Sequence, residues 1–187
     1  MTLEEMKKKV LGLIEEVSPN NPNLTDDPDI ATKIHDVINM IMFELARYKK
    51  IAKYVEFEVE AGDVIEYEQI ESESGYEVYQ IAKVGGVKYE LKAQGTVIKV
   101  KESGTMELEF YAYPERITEN TKPKAYEFEL SNDALEIMPY GVAGDLLKSE
   151  VSTEYGAIYS NRYEQMKQQL DPRYVMGGIY IEGGYDI

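Results

Sequence analysis

The chain shows helical spacing of its apolar residues at both ends and strand-like alternation in its middle. Thr2 and Glu5 have the spacing of a capping box, and one apolar face continues from there, so residues 2–17 are predicted to form a first helix. A second helix is predicted to begin at Asp27, because Pro28 then occupies the first helical position, where its missing N–H is not needed. The broad apolar face of this second helix predicts a central position in the fold.

The middle of the chain alternates apolar and glutamate-rich polar positions, which is typical of strands with one solvated face. Gly85-Gly86 has the composition of a two-residue hairpin turn between two of these strands. About seven short strands separated by turn signals predict a small antiparallel sandwich or a partly closed barrel. The predicted strands lie within residues 55–59, 65–67, 79–81, 87–91, 98–100, 106–112 and 126–130.

Residues 131–173 have the pattern of two helices in a hairpin. Asp133 and Glu136 are spaced as a capping box at the start of the first helix, and Pro139 is predicted to kink or restart it. Small residues follow at 141, 143 and 144, which predicts close approach of another backbone. The second helix is predicted to begin near Ser152 or Thr153 and to end at Asp171, which precedes a proline. Its apolar face is rich in tyrosine.

Taken together, these elements predict an α+β fold. Residues 1–53 and 131–173 would form a helical bundle from two N-terminal and two C-terminal helices, and residues 54–130 would form an inserted antiparallel β lobe. Residues 174–187 are predicted to be an extended C-terminal arm, since four glycines oppose a stable helix. A short apolar segment flanked by glycines is suited to adding a strand to the sheet edge of a partner. The alternative is that the arm folds back and caps its own domain.

The composition is that of a globular protein with a strong negative charge. A formal net charge of -15 argues against binding nucleic acid by neutralising phosphates, which requires clustered lysine and arginine. The negative charge could keep the protein soluble, or it could line a DNA channel and repel the passing DNA. The chain has no cysteine, and no apolar run approaches the ~20 residues that span a bilayer, so we expect a soluble, cytoplasmic protein with no membrane partner.

The sequence contains no recognisable catalytic constellation. His35 is the only histidine and lies within the second predicted helix, so a metal site or a Ser-His-Asp arrangement lacks its usual ligands. No phosphate-binding loop, nucleophile elbow or zinc-protease motif is present. We therefore predict a protein that is not an enzyme and that uses no cofactor and no metal.

The C-terminal hairpin carries an ordered series of landmarks that covers about a quarter of the chain. These are Pro139-Tyr140-Gly141-Val142-Ala143, Asp145-Leu146-Leu147, Arg162-Tyr163 and Leu170-Asp171-Pro172-Arg173. In this order they resemble the C-terminal helical portion of head–tail connector (adaptor) proteins of tailed bacteriophages.

This resemblance implies a structural virion protein that forms a dodecameric ring under the portal protein and joins the capsid to the tail. It also implies that the C-terminal arm docks on the portal, that the β lobe faces the ring exterior or the next tail or neck component, and that DNA passes through the channel only as cargo. The protein would then be located in the virion neck, and in the cytoplasm of the bacterial host during assembly.

Two functional classes remain open from the sequence. The first is the connector, and the second is a non-enzymatic ligand- or carbohydrate-binding β module carried on a helical bundle. For the connector we predict an oligomer or partner interface made by the glycine-notched segment, the tyrosine face and the arm. Its residues are Pro139, Tyr140, Gly141, Gly144, Tyr155, Tyr159, Tyr163, Val175, Ile179, Tyr180, Ile181 and Tyr185.

Overall fold

The computed structural model describes residues 1–149 and 153–170, and within them the fold is α+β, as predicted. The helices are α1 (Leu3–Leu13), α2 (Pro28–Tyr48), α3 (Tyr67–Ser74), α4 (Asn132–Leu146) and α5 (Thr153–Gln169). The strands are β1 (Ile51–Val59), β2 (Val64–Glu66), β3 (Val78–Gly85), β4 (Tyr89–Lys92), β5 (Val97–Val100) and β6 (Gly104–Ala112). Short 3-10 turns span Ala93–Gly95 and Leu147–Ser149.

The two N-terminal helices begin where the sequence predicts. Thr2 and Glu5 form the capping box, and the carboxylate of Asp27 accepts bonds from the first free N–H groups of α2. The end of α1 was predicted wrongly, because the helix stops at Leu13 and not at residue 17. Glu15 adopts a positive φ of 62°, which an α-helix does not accommodate, and the chain turns there into the loop before α2.

The strands form two three-stranded antiparallel sheets, in the orders β1-β6-β3 and β2-β5-β4. The predicted hairpin at Gly85-Gly86 is therefore wrong, since β3 and β4 belong to different sheets. Gly86 instead turns the chain with a φ of 81°, and a side chain there would overlap the carbonyl oxygen of Thr105. The backbone passes from one sheet to the other at this glycine.

Two of the predicted strands differ from the structure. Tyr67 begins the helix α3, which is stopped by Gly75 in the left-handed conformation. Residues 126–130 form no named strand, and their one bridge joins Glu127 to Thr2. This segment has an alternating pattern because Phe128 is buried against helices, and not because it belongs to a sheet.

The buried apolar side chains form two separate clusters. One cluster takes its members from α1, α2, α4 and α5, from the loop after β6 and from Ile51 at the start of β1. The other takes them from the remaining parts of the strands and from α3. Ile117, Phe128 and Leu130 pack in the helical cluster, although the sequence assigns residues 54–130 to the β lobe. The loop after β6 is thus stabilised by packing against the helices and not against the sheets.

The loop is attached to α2 by one buried amide. Asn39 is 3% exposed, and its side chain donates to the carbonyl oxygen of Ile117 at 2.8 Å and accepts from the N–H of Ile117 at 2.9 Å. Both backbone groups of Ile117 are satisfied in this way inside the core. One side chain therefore replaces the hydrogen bonds that a sheet would supply to this loop.

The start of α4 differs from the prediction. The helix begins after Ser131 and runs through Pro139 to Leu146, and the predicted capping box of Asp133 and Glu136 does not form. The carboxylate of Asp133 instead pairs at 2.8 Å with the amine of Lys49, whose side chain is 7% exposed. This pair joins the end of α2 to the start of α4 and supplies the buried ammonium with a counter-charge.

The Lys49 ion pair makes stability depend on pH in the acid range. The hydrogen bond from Lys49 lowers the pKa of Asp133 from 3.8 to about 2. Because the carboxylate has a higher pKa in the unfolded chain, the pair stabilises the fold above pH 4, and this contribution is lost as the pH falls towards 2. Asp133→Asn should lower the free energy of unfolding by about 1–3 kcal/mol at neutral pH, because Lys49 is left without its partner.

Urea unfolding at pH 7 and at the lowest pH at which the chain stays folded would check this prediction. The difference between wild type and Asp133→Asn should shrink as Asp133 becomes protonated. Asp29→Asn is the matched control, since Asp29 is exposed and its nearest ammonium, on Lys33, is 3.7 Å away. An equal effect of the two substitutions would show that the Lys49 pair contributes no more than a surface pair.

Candidate assembly surface

Helices α4 and α5 pack with almost no space between their backbones. A Cβ atom at Gly144 would lie 2.5 Å from the hydroxyl oxygen of Ser160 and 2.9 Å from its backbone nitrogen. From the other helix, a Cβ atom at Gly156 would lie 3.2 Å from the Cβ of Leu147. The close approach predicted from the small residues is confirmed at this point.

One turn away, Gly141 admits the ring of Tyr163 into the space between three helices. A Cβ atom at Gly141 would lie 3.0 Å from two ring carbons of Tyr163 and 3.2 Å from Ile41 on α2. The tyrosine is 4% exposed and belongs to the helical cluster. Gly141 is therefore required by the aromatic side chain that packs against it.

The hydroxyl of Tyr163 reaches a charged pair that joins α5 to α2. It donates to Glu44 at 3.1 Å, and Lys167 donates to the other oxygen of Glu44 at 2.5 Å and to Glu164 at 2.7 Å. Burial, together with the charge of Glu44, raises the pKa of Tyr163, so the hydroxyl stays protonated. Burial would lower the pKa of Lys167, but its carboxylate partners outweigh burial and raise it. These contacts fix α5 on α2.

Tyr159 ties the same helix to α1, because its hydroxyl donates to the carbonyl oxygen of Leu13 at 2.5 Å. The ring centroids of Tyr159 and Tyr140 are 6.4 Å apart, and the guanidinium of Arg162 lies 4.6 Å from the centroid of Tyr140. A guanidinium at this distance is attracted by the face of the ring. The half-buried Tyr159 and Tyr140 thus extend the packed side chains from the buried Tyr163 to the protein surface.

The other side of α5 faces solvent and carries two large apolar side chains. Tyr155 is 62% exposed and Ile158 is 57% exposed, and Arg162 follows one turn after Ile158. We call Tyr155, Ile158 and Arg162 the α5 outer face. A helix with one face packed this tightly and apolar side chains on the opposite face presents a rigid surface to a partner.

A groove of about 480 Å³ lies beside this hairpin, between α2, α4 and α5. It is lined by Met40, which is exposed, by Phe43, which is half-buried, and by Gly141, and its rim carries charged residues of both signs. The charged rim residues are Glu44, Arg47, Asp145, Lys148 and Glu164. Asp145 and Lys148 bond to each other, so part of this rim is already neutralised.

The structure divides the predicted interface residues into three groups. Pro139, Gly141, Gly144 and Tyr163 are buried against other parts of their own chain, so they support the surface rather than form it. Tyr140 and Tyr159 are half-buried, and Tyr155 is exposed. The third group lies outside the described residues and comprises Val175, Ile179, Tyr180, Ile181 and Tyr185.

Several residues of this site were not predicted from the sequence. Ser160, Glu44 and Lys167 are polar residues of helices. Nothing in the sequence around them distinguishes them from ordinary solvent-exposed residues. The one available signal was the four-residue spacing of Tyr163 and Lys167, which places both on one side of α5. Ile158 is absent from the predicted interface, yet the structure places it on the exposed side of α5.

The described residues contain no group of three or more His, Cys, Asp or Glu side chains that could hold a metal ion. His35 is half-buried on α2, and its Nε2 atom has no hydrogen-bond partner among the residues of the described ranges. Its burial, and next the charge of Lys7, lower the pKa of His35. Within residues 1–149 and 153–170, no helix is both long and apolar enough to cross a membrane.

No family model matches the chain, and no curated protein matches it either.

Proposed function

We propose that this chain is a structural protein of the neck of a tailed bacteriophage, a head–tail connector that forms a ring on the portal protein. The proposal rests on the resemblance of the C-terminal hairpin. The one structural observation that carries it is the α5 outer face, on which Tyr155 and Ile158 are exposed beside a tightly packed helix pair. Twelve copies per ring, joined to portal and tail proteins around passing DNA, would follow from the resemblance.

The chemistry of the α5 outer face suits contact between copies. A closed ring requires that one patch of each copy meet a different patch on the next. Tyrosine and arginine are enriched where such interfaces gain most of their binding energy, and a rigid helix loses little conformational freedom on binding. Tyr155 and Arg162 provide both residue types on one helix. The virion neck, reached from the cytoplasm of the host, is the corresponding location.

In this proposal, the helices and the sheets of the fold have different roles. We describe the helices α1, α2, α4 and α5 as a bundle that would form the ring, and the two sheets as an inserted, sandwich-like lobe that would face outward or towards the next neck component. The separation of the two apolar clusters supports this description. Because the lobe has its own apolar cluster, its sequence can change without disturbing the helices that form the ring.

Charge on the α5 outer face should abolish assembly without unfolding the chain. Tyr155→Glu and Ile158→Glu place a carboxylate in a surface that must become dry, while each side chain remains solvated in the free chain. We expect wild type, mixed with the portal protein encoded in the same genome, to give a ring-sized species by native mass measurement. Both variants should keep the wild-type melting temperature and give less than a tenth of that species.

The matched control is Gln168→Glu, which adds the same charge to an exposed position of the same helix. A chain lacking residues 175–187 tests the arm in the same assay, and we expect it to remain folded but to assemble less. Equal assembly of Ile158→Glu and wild type would contradict the role of α5. A wild-type chain that stays monomeric with the portal but is stabilised by a sugar would favour the alternative, a carbohydrate-binding β module.

A further inference from the structure

The described chain contains a buried lysine without a counter-charge. The side chains of Lys7 and Lys49 are 5% and 7% exposed, and Lys49 pairs with Asp133. Lys7 makes no hydrogen bond and no ion pair with any residue of the described ranges. Burial of the side chain leaves the ammonium of Lys7 partly desolvated with no opposite charge beside it, which favours the binding of an anion there.

Lys7 lies in the wall of a pocket of about 570 Å³. Three segments of the chain enclose this pocket: the first turns of α1, the loop that follows α1, and the loop that precedes α4. The complete lining is Glu4, Lys7, Pro19, Asn21, Pro22, Leu24, Lys122, Pro123, Lys124 and Ala125. Lys7 is therefore withdrawn from bulk solvent but open to this cavity.

Backbone hydrogen bonds hold the walls of the pocket in place. The N–H of Glu4 donates to the carbonyl oxygen of Pro123 at 3.0 Å, which attaches the second loop to α1. The N–H of Ser18 donates to the carbonyl oxygen of Leu24 at 2.8 Å, which closes the first loop on itself. A cavity with walls fixed in this manner binds a ligand without a large loss of conformational entropy.

The charge of the pocket is opposite to that of the protein. Three lysines and one glutamate line it, in a chain with a formal net charge of -15. The glutamate, Glu4, is already paired with Lys8 at 2.6 Å and lies 3.9 Å from Lys124. Lys7 and Lys122 make no ion pair within the described part of the chain, so they remain to receive an anion.

His35 does not line the pocket, but it lies close enough to Lys7 for the charge of the lysine to act on it. Its Nε2 has no hydrogen-bond partner in the described ranges, and its burial, followed by the charge of Lys7, lowers its pKa. Burial likewise lowers the pKa of Lys7. A negative charge in the pocket would stabilise the protonated form of the lysine and offset its desolvation.

The remaining lining residues favour an organic acid over an inorganic anion as the ligand of this pocket. Pro19, Pro22, Pro123 and Leu24 give the cavity an apolar side next to its ammonium groups. Such a cavity matches a charged group carried on an apolar body, as most ligand sites do. We propose that this pocket binds a carboxylate-bearing ligand, with Lys7 as the counter-charge and the prolines against the apolar part of the ligand.

The test uses the full chain, with glutarate and a capped Gly-Asp-Gly peptide as probes for a small organic acid and for an acidic peptide segment. Glutaramide, the diamide of the same acid, is the uncharged control, and all samples are held at equal ionic strength. Lys7→Met removes the charge while keeping the length of the side chain. Lys9→Met removes an exposed charge from the same helix and is the matched protein control.

We expect at least one carboxylate probe to raise the melting temperature of wild type and of Lys9→Met, and to leave Lys7→Met unchanged. The tighter probe identifies the source of the carboxylate. Without ligand, Lys7→Met should be at least as stable as wild type, since it removes an uncompensated buried charge. The proposal is overturned by an equal shift in Lys7→Met, by no shift in wild type, by equal binding of glutaramide, or by inorganic phosphate binding in place of both probes.

Discussion

Gly144→Leu should lower the free energy of unfolding by about 3 kcal/mol or more, since overpacking a tight interface forces the backbone apart. The first atom of a side chain at this position would already lie 2.9 Å from the backbone nitrogen of Ser160. A backbone atom cannot move aside as a flexible side chain does, so α4 and α5 must separate. Thermal or urea unfolding measures the loss, and a parallel loss of assembly would follow from the displaced α5.

Gly12→Leu is the matched control for this substitution. Gly12 lies within α1, and a Cβ atom there would meet no other atom within 4 Å. Because leucine favours the helix more than glycine does, Gly12→Leu should leave stability unchanged or raise it by up to about 1 kcal/mol. If the two variants lose stability to the same extent, then the penalty at Gly144 does not arise from its contact with α5.

Asn39→Ala should lower the free energy of unfolding by about 2–4 kcal/mol, because it removes two hydrogen bonds and leaves both backbone groups of Ile117 without a partner. Asn39 and Ile117 are each 3% exposed, so water cannot replace the lost amide without entering the core. The loop after β6 would lose its attachment to α2. Hydrogen exchange at the Ile117 amide would report this detachment directly, in addition to the shift of the unfolding curve.

The neighbouring residue supplies the control for Asn39. Met40 lies on the same helix and is 50% exposed, so Met40→Ala should change stability by less than about 0.5 kcal/mol. An Asn39→Ala chain that is as stable as Met40→Ala would mean that the loop does not depend on this amide. Slower exchange at the Ile117 amide in the variant would contradict the account in the same way.

The features that were predicted correctly are those with local causes. The capping box of Thr2 and Glu5 and the position of Pro28 are read within one helical turn, and both helices begin there. The close packing at Gly144 was also predictable, because a glycine inside an apolar helix is unfavourable unless something packs against it. The class of the fold followed from the change in apolar spacing along the chain.

The features that were missed depend on partners far away in the sequence. Gly85 and Gly86 have the composition of a hairpin turn. However, β3 pairs with β6 in one sheet and β4 pairs with β5 in the other, so the two strands are not partners. Residues 126–130 alternate like a strand because they pack on helices. The bond from Tyr163 to Glu44 joins residues 119 positions apart, and no local pattern records such a contact.

We propose that copies of this chain meet through the α5 outer face when they assemble on a portal. Electron cryomicroscopy of the chain mixed with the portal protein of the same genome tests it most directly. The account predicts a closed ring in which Tyr155 and Ile158 of each copy are buried against the next copy. A ring that leaves both side chains in solvent, or a portal that recruits no ring, would contradict it.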